Sequence, residues 1–582
     1  MSKPPQKKFI NEKEDTISEA LTGLCQTNPS LQILKHQQTV ILKTPPKNKV
    51  TLLCGGGSGH EPAHVGFVDE KILHAAVCGG VFASPSYQQV LSAVQEICGE
   101  EGCLVVIKNY TGDVINFELA AGFARSQSGL KVKTLVVADD IAFLQGNDIH
   151  QKKKEARGLS GTVLVYKILG AAAYKGKDLD YIQNFGEKIL KNIFSLGVSM
   201  SSCSLPGFAA NFQLQNDEME VGLGIHGEQG KGRQKVEQVC QIVQEMIQDN
   251  FLKFIQPQDK VVVLVNNLGS CTDLEINIFA MEVLKQLKGH NITVVRLIEG
   301  RIMTSLEMHG ITLTIQKLEA DLEQEILEYL DLPVQTKHWN ISTPTQETAS
   351  IYKEPKIKPQ KSYSETKKHL SDSGEKVKKG IAQIFSQLIK LESHFNQLDS
   401  IVGDGDCGTG MARACQSVLQ NLDFLQFDKA FASSLISLGE IIANNYGGTS
   451  GPLYGIFLSE ASRELKQDIY ENKIQDFCKA FNKGSEGVKT LGKTEKGERT
   501  MYDALHAVSE KFENLVQKNP NIQFKELTQQ LASMAQQASL QISLIPAKKG
   551  RSRYLNGKEI GEKDPGCELV ATWLNILAQI FK

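Results

Sequence analysis

Residues 50–62 read VTLLCGGGSGHEP, a short apolar run that leads into a glycine-rich break. Val50–Cys54 has the length and composition of a β-strand that is buried between helices. The glycines at 55–57 allow the backbone to approach a ligand closely, and Pro62 is predicted to begin the next helix. Because open α/β sheets bind ligands at the carboxyl ends of their strands, this stretch predicts an α/β domain with a small-molecule site. A tight strand-to-helix turn is the simpler interpretation.

Two common nucleotide-binding motifs are not supported. A GxGxxG fingerprint would need glycine at the position of His60. Residues 487–494 match the Walker A pattern letter for letter, but the preceding residues 474–484 have helical character. A phosphate-binding loop must instead follow a buried strand, so we expect this match to be accidental.

The alternation of short apolar runs, polar breaks and helical spacing continues from about Lys49 to Leu318. This alternation is typical of an α/β domain. The predicted strands are Val50–Cys54, Leu104–Ile107, Thr134–Ala138, Val221–Ile225, Val261–Val265, Val294–Ile298 and Thr312–Ile315.

Residues 342–368 contain Pro, Ser, Thr and Lys without apolar periodicity, which predicts an exposed linker. The linker would separate residues 1–341 from residues 369–582. The second part repeats apolar residues at helical spacing, so we expect a helical domain without a substantial sheet. Its clearest predicted helices are Phe431–Asn444, Ile474–Phe481, Tyr502–Val516 and Phe524–Ile542.

Composition limits the classes of partner. The 582 residues include 64 Lys and Arg against 66 Asp and Glu, and the net charge of -2 gives no general attraction to nucleic acid or acidic membranes. No stretch approaches the roughly 20 apolar residues that cross a bilayer. The N-terminus lacks the apolar core of a signal peptide, so a cytoplasmic location is expected. The 12 Cys form no CxxC pair, which favours reduced thiols over disulfides or a zinc ribbon.

Several polar residues follow predicted strands of the first part. His60, Lys108 and Asp113 stand after successive strands, where an imidazole, an ammonium and a carboxylate could move protons together. Each alone is more often a surface or capping residue. His226 lies between three glycines that leave its ring uncovered, so it could act as a base or a nucleophile, although a lone His is usually structural.

The second part contains an aspartate-rich loop. Asp399, Asp404 and Asp406 are separated by glycines and could converge on hard cations, leaving coordination positions for phosphate oxygens. An EF-hand is excluded because Gly408 and Cys415 stand where that loop needs ligands. Simple helix capping would explain only one of the three carboxylates.

The motifs GGGSGHEPAH, KNYTGD, GIHGEQG, VNNLGS and RIMTSLEMHG resemble the kinase domain of dihydroxyacetone kinases, over residues 10 to 340 approximately. The resemblance implies two α/β subdomains, divided near residues 185–200, that hold dihydroxyacetone covalently as a hemiaminal on a ring nitrogen of His226. It also implies that His60 and Asp113 exchange protons. The implied substrate contacts are Gly57, Ser58, Gly59, His60, Lys108 and Asp113. Glycerol has no carbonyl group and would be rejected.

The Asp loop, YGGTSG at 446–451, GERTMYD at 497–503 and DPG at 564–566 are similar to the nucleotide-binding domain of the same family, over residues 369–582. The resemblance implies an antiparallel helical barrel that binds ATP through two Mg²⁺ ions. The implied metal ligands are Asp399, Asp404 and Asp406. The implied nucleotide contacts are Cys407, Gly408, Thr409, Gly410, Thr449, Ser450, Gly492, Met501, Arg551, Asp564, Pro565 and Gly566.

Two departures from the family pattern lie close together. Glu498 stands where Asp is usual, and residues 494–496 replace a stretch that tends to contain Ala and Pro. We expect a local change in the loop on the adenine side.

Both domains on one chain imply the ATP-dependent form of the family, acting on dihydroxyacetone and D-glyceraldehyde as a homodimer. Relatives of this form also split FAD into cyclic FMN and AMP. The alternative is a dihydroxyacetone-binding regulatory protein without turnover, since relatives of the first domain bind this ligand without phosphorylating it. The intact Asp loop argues against that alternative.

Overall fold

The computed structural model describes residues 7–144, 156–210, 213–228, 230–345, 351, 366–555 and 557–581. The chain divides into two compact units, Met1–Lys353 and Glu354–Lys582. Within the described ranges, no helix combines the length and the apolar character that crossing a membrane requires.

The first unit begins with a six-stranded sheet. Its strands are β1 Leu31–Ile33, β2 Thr39–Leu42, β3 Thr51–Ser58, β4 Ala75–Val81, β5 Cys103–Lys108 and β6 Val132–Val137. They lie in the order β1-β2-β4-β3-β5-β6. Strands β4, β3, β5 and β6 are parallel, whereas β2 pairs with β1 and β4 in the antiparallel sense. The carboxyl ends of the four parallel strands therefore meet at one edge.

Helices cover both faces of this sheet. They are α1 Thr16–Thr27, α2 Tyr87–Ile97, α3 Thr111–Ser128, α4 Gly161–Tyr174 and α5 Leu179–Lys191. Val105 packs with α2 and α3, whereas its neighbour Leu104 packs with α4 and α5 on the opposite face. Successive side chains of a strand point to opposite faces, so a sheet covered on both sides needs continuously apolar strands.

A seven-stranded sheet completes the first unit. Its strands are β7 Ile193–Ser199, β8 Glu218–Val221, β9 Gly232–Lys235, β10 Lys260–Asn267, β11 Thr293–Gly300, β12 Gly310–Lys317 and β13 Ile341–Ser342, and its helices are α6 Val239–Glu245, α7 Asp273–Gly289 and α8 Glu323–Asp331. The strand order is β13-β11-β10-β12-β7-β8-β9. Only β10 and β11 pair in parallel.

Helix α4 connects the two sheets. Every residue from Gly161 to Ala173 is buried. One hydrophobic cluster joins α4 to Leu104 of the first sheet and Leu264 of the second. A helix that is enclosed on all sides has no polar face, which agrees with the apolar sequence of α4.

Six of the seven predicted strands are present near their predicted bounds, and the seventh needs correction. The predicted strand Val221–Ile225 ends at Val221, because Gly222 takes a φ of +76° and the chain turns there. Pro62 begins no α-helix, since the chain forms only a short 3-10 turn at Val65–Phe67 before α2. Most of the missed strands are short, polar or rich in Ala and Gly, but β7 is a buried seven-residue strand; the missed strands are β1, β2, β4, β7, β9 and β13.

The second unit is helical, and its described residues contain no strand. Its helices are α9 Asp372–Ile389, α10 Glu392–Val402, α11 Cys407–Asn421, α12 Phe431–Asn445, α13 Ser450–Ser462, α14 Ile474–Gly492, α15 Met501–Lys518, α16 Phe524–Ile542 and α17 Pro565–Ile580. Seven of them, α9, α11, α12, α13, α14, α16 and α17, line an apolar cavity of about 760 Å³. The predicted fold class, an α/β domain followed by a barrel of helices, is confirmed.

The four predicted helices of this unit are present, and α16 has the predicted bounds. The Walker A match at 487–494 lies mostly inside α14, and Lys493 caps the end of that helix with a φ of +47°. No strand precedes it, so the match is not a phosphate-binding loop. The predicted linker at 342–368 falls largely outside the described residues and stays a prediction.

We predict that residues 1–341 and residues 369–582 fold when they are expressed separately. The hydrophobic clusters of the first unit contain no residue beyond Ile341, and those of the second begin at Leu370, so neither core needs the other. Chemical unfolding of each fragment should show a single cooperative transition. A fragment that shows no cooperative transition would contradict the predicted boundary.

Candidate active site

Glycines at the end of β3 make room for a buried lysine. Gly56 has a φ of +143°, and a Cβ atom at this position would lie 2.2 Å from Nζ of Lys108. Lys108 donates a hydrogen bond from Nζ to the carbonyl oxygen of Gly55 at 2.7 Å. Any side chain at residue 56 would displace this ammonium group, so the glycine serves the packing of Lys108.

Lys108 is completely buried among polar partners. Its Nζ lies 3.2 Å from Oδ2 of Asp113 and 3.2 Å from Nε2 of His64. Ser84 donates a hydrogen bond to Oδ1 of Asp113. A buried ammonium group is tolerated where an opposite charge and good acceptors surround it. The predicted site residues Lys108 and Asp113 are therefore in direct contact.

The next feature of the pocket is the ring nitrogen Nε2 of His60. Its Nδ1–H donates to the carbonyl oxygen of Thr304 at 2.8 Å, and its ring stacks on Phe82 with centroids 5.0 Å apart. Within the described part of the chain, Nε2 is buried without a hydrogen-bond partner. Burial, together with the charges of His226 and Lys108, holds the pKa of His60 well below its ordinary value. The ring is therefore neutral, and the lone pair of Nε2 can accept a hydrogen bond.

His226 lies in the loop after β8, beside His60. The ring centroids of these two residues are 4.7 Å apart, and Tyr110 contacts His226 edge-on at 4.6 Å. Oε1 of Glu228 lies 2.8 Å from Nδ1 of His226. Burial tends to raise the pKa of Glu228, but its hydrogen bond to His226 and the charge of that ring lower it to about 2.

The Glu228 carboxylate fixes the tautomer of His226. An ionised carboxylate can only accept, so Nδ1 carries the hydrogen and Nε2 of the neutral ring carries a lone pair. The side chain of His226 is 18% exposed, which leaves the ring accessible to a small molecule. Nucleophilic addition to a carbonyl group would place positive charge on the ring, opposite Glu228.

The predicted substrate residues contribute in different ways. Gly57 and Gly59 both pack against Phe82, where a Cβ atom on either glycine would lie 2.8 Å from that residue. The hydroxyl of Ser58 donates to the carbonyl oxygen of Gly79 at 2.8 Å and is committed within the protein. Among the described contacts, none joins His60 directly to Asp113.

Sequence reasoning did not identify His64, Tyr110, Glu228 or Thr304. The first three lie inside the motifs around His60, Lys108 and His226, so polar residues in the same motif were the available signal. Thr304 contacts His60 across 244 residues of sequence through a backbone carbonyl. No side-chain pattern could have indicated that contact.

In the second unit, the side chain of Asp399 holds the Asp loop between α10 and α11 in place through hydrogen bonds. Its Oδ2 accepts hydrogen bonds from the backbone N–H groups of Gly405, Asp406 and Cys407 at 2.9, 3.1 and 3.3 Å. These bonds bring the side chains of Asp404 and Asp406 back beside Asp399. Carboxylate oxygens of all three lie within 4.8 Å of one another.

The three carboxylates fit a magnesium site. Mg²⁺ prefers oxygen ligands, and the group offers only oxygen atoms. Asp404 and Asp406 are exposed, so water and phosphate oxygens could complete the coordination. Arg551 forms an ion pair with Asp404 and adds a guanidinium that could also contact phosphate.

The predicted nucleotide contacts lie mostly where helices begin. Residues 407–410 form the first turn of α11, residues 449–450 begin α13, Met501 begins α15 and residues 565–566 begin α17. Asp564 caps α17 by accepting the N–H of Cys567 at 2.8 Å, and burial raises the pKa of Asp564 to about 6. Unpaired N–H groups at helix N-termini bind phosphate groups.

Several contacts tie these helix ends together. Sγ of Cys407 lies 3.3 Å from the hydroxyl of Tyr446, just before α13. Sγ of Cys567 donates to the carbonyl oxygen of Thr500 at 2.7 Å and joins α17 to α15. Gly492 differs from the other predicted contacts because it ends α14.

The departures from the family pattern form a closed local turn. Glu498 accepts hydrogen bonds from the hydroxyl of Thr494 at 3.1 Å and the N–H of Glu495 at 2.9 Å. The next residue, Arg499, is buried and donates to backbone carbonyls in 559–562 at 2.8 and 2.6 Å. Arg499 therefore holds the segment that leads to Asp564.

Comparison with known proteins covers both units. A Dak1 domain matches residues 22–338, and a DAK2 domain matches residues 401–579. Triokinase/FMN cyclase of Mus musculus is 34% identical over 590 residues, which covers 99% of this chain and 99% of the mouse protein.

Solved structures agree with this relationship. The dihydroxyacetone kinase from C. freundii in complex with AMP-PNP and Mg²⁺ matches with a TM-score of 0.63 and 31% identity, covering 98% of this chain and 99% of that chain. A dihydroxyacetone kinase operon co-activator matches with a TM-score of 0.51 and 32% identity, but covers only 55% of this chain. The chain contains both a Dak1 and a DAK2 domain, and it therefore belongs to the family of dihydroxyacetone kinases and triokinase/FMN cyclases.

Proposed function

We propose that this chain transfers the γ-phosphoryl group of ATP to a hydroxyl group of dihydroxyacetone, with D-glyceraldehyde as a second substrate. The observation that carries the proposal is the presence, on one chain, of the pocket in which His226 contacts His60 and Glu228, and of the Asp399, Asp404 and Asp406 group. A regulatory protein that only binds the ketone would not need the three aspartates. The co-activator structure matches little more than half of this chain, which also favours the kinase.

His226 is the proposed covalent attachment point. The lone pair of Nε2 forms a bond to the carbonyl carbon, and the C=O π electrons move to the substrate oxygen, which takes a proton from water. The Nδ1 proton passes by way of Glu228 to solvent, which leaves a neutral hemiaminal. Glu228 faces Nδ1 and stabilises the positive charge of the ring during addition. Glycerol offers no carbonyl carbon, so this step would exclude it.

His60 and Asp113 are the proposed proton-handling residues. The unpartnered Nε2 of His60 and the carboxylate of Asp113 are the two acceptors that the pocket holds in fixed positions. We propose that Asp113 takes the proton of the attacking hydroxyl and that His60 exchanges protons with the substrate. Lys108 keeps Asp113 oriented through their direct contact.

Asp399, Asp404 and Asp406 would hold two Mg²⁺ ions, and the helix N-termini around residues 407–410 and 564–566 would bind the phosphate groups of ATP. Bound Mg²⁺ would neutralise charge on the transferring phosphoryl group. A homodimeric state and a cytoplasmic location remain proposals from the family resemblance. The 12 cysteines are all free thiols, which suits a reducing compartment.

A second activity is proposed at the same nucleotide site, the cleavage of FAD to cyclic FMN and AMP. Full-length similarity to a triokinase/FMN cyclase is the observation that favours it. Incubation of the purified chain with FAD and analysis of the products by chromatography would test it.

Turnover should depend on a carbonyl group in the acceptor. We expect magnesium-dependent ADP formation with dihydroxyacetone and D-glyceraldehyde, and only background ADP formation with glycerol. A coupled assay with the three acceptors side by side measures this. Binding of dihydroxyacetone without any ADP formation would favour the regulatory alternative.

His226→Ala should abolish covalent capture of dihydroxyacetone, because the nucleophilic nitrogen is removed. Crystals of the wild-type chain soaked with dihydroxyacetone should show the adduct on His226. His290→Ala, at the C-cap of α7, is the matched control and should retain capture. An adduct on His60, or a ketone bound without a covalent bond, would contradict the assignment.

Asp404→Asn should lower phosphoryl transfer by at least about a hundredfold, since it removes charge from the metal site. Adduct formation at His226 should persist, because addition to a carbonyl requires neither ATP nor metal. Asp423→Asn, at a partly exposed carboxylate of the same unit that pairs with Lys367 and Lys378, is the control and should retain turnover. Unchanged turnover in Asp404→Asn would remove the Asp loop from the mechanism.

A further inference from the structure

A second group of side chains that can bind a metal lies at one end of the central strands of the seven-stranded sheet. Strands β10 and β12 are antiparallel neighbours, and Asn267 pairs with Ile311 at that edge. Cys271 follows β10, and His309 immediately precedes β12. The topology therefore brings together residues that are far apart in sequence.

Glu275, in the first turn of α7, completes the group. The Sγ of Cys271, a carboxylate oxygen of Glu275 and a ring nitrogen of His309 all lie within 4.8 Å of one another. Nε2 of His309 is 2.7 Å from Oε1 of Glu275. Both of these side chains are more than one-third exposed, at 38% and 39%, so an ion could enter from solvent and small rotations could close the site.

The side chain of Glu275 is already oriented. Its Oε2 accepts hydrogen bonds from the N–H and the hydroxyl of Thr272 at 2.7 and 2.8 Å. This contact is part of the capping box of α7 and leaves Oε1 directed at His309. Groups that orient a ligand in this way strengthen metal sites.

The backbones that carry the other two ligands are also fixed. The buried side chain of Asn267 donates to the carbonyl oxygen of Cys271 at 2.7 Å and accepts its N–H at 3.2 Å. The N–H of His309 donates to Ser201 at 3.0 Å, and its carbonyl oxygen accepts the N–H of Met200 at 2.7 Å. The three side chains must move to converge on an ion, and the thiol of Cys271, which donates to the carbonyl oxygen of Gly310 at 3.2 Å, must leave that oxygen and release its proton to solvent.

We propose that Cys271, Glu275 and His309 bind a zinc ion, with water in the fourth position. Zinc takes thiolate, imidazole and carboxylate ligands in tetrahedral geometry, and one of each is present here. The soft sulfur ligand separates this site from the Asp loop, whose oxygen ligands suit Mg²⁺. The site is independent of the proposed kinase function.

Cobalt is a suitable probe because its bond to a thiolate gives a charge-transfer absorption that carboxylate sites do not. The full-length chain should be stripped of metal with a chelator, supplied with excess Mg²⁺ to fill the Asp loop, and titrated with Co²⁺. We expect a thiolate-to-cobalt band that saturates at one equivalent per chain and disappears when Zn²⁺ is added.

Cys271→Ser should remove the band, and His309→Ala should weaken Co²⁺ binding by at least about tenfold. Cys240→Ser and His290→Ala alter a cysteine and a histidine outside the group and should leave the titration unchanged. The absence of a band in the wild-type chain, or a band that persists in Cys271→Ser, would overturn the proposal.

Thermal unfolding gives a readout that does not depend on the band. Zn²⁺ should raise the unfolding temperature of the wild-type chain and of Cys240→Ser, but not that of Cys271→Ser or His309→Ala. Because His309 is partly exposed, His309→Ala serves as the second variant if Cys271→Ser fails to fold. An equal rise in wild type and His309→Ala would show that zinc acts elsewhere and overturn the proposal.

Discussion

The buried ammonium group of Lys108 is the constraint on which the first site depends. Its charge must be compensated inside the protein, and Asp113 and the carbonyl oxygen of Gly55 provide that compensation. Gly56 of β3 leaves the space that the lysine side chain occupies. The same positive charge adds to burial in keeping His60 neutral. One lysine therefore sets the backbone of a strand end, the position of a carboxylate and the protonation of an imidazole.

Much of this architecture could be predicted from the sequence, since strands covered on both faces are continuously apolar and the Asp loop brings its ligands together within eight residues. Other features depend on contacts between distant segments. Thr304 reaches His60 through a backbone carbonyl, and β4 contains glycines that hide its strand character. The strand predicted through Ile225 failed because Gly222 turns the chain, and that turn places His226 on a loop.

The candidate site of the first unit lies at the carboxyl ends of strands, whereas that of the second unit lies at the amino ends of helices. In the first, polar side chains collect at the carboxyl ends of parallel strands, where open α/β sheets bind small molecules. In the second, the first turn of α11 lies beside the three carboxylates of the Asp loop, a combination that suits a metal-bound phosphate chain. The family pattern at residues 494–498 is altered, yet Glu498 closes the turn and Arg499 still holds the segment before Asp564.

Helix α4 has a consequence for how this family can evolve. It packs on both sheets of the first unit at once, and Gly170 lies so close to the backbone of Ile72 that a Cβ atom would sit 2.2 Å from its carbonyl oxygen. Changes in either sheet must therefore remain compatible with one shared helix. A substitution in α4 would disturb both sheets at once, whereas the helical unit has hydrophobic clusters of its own.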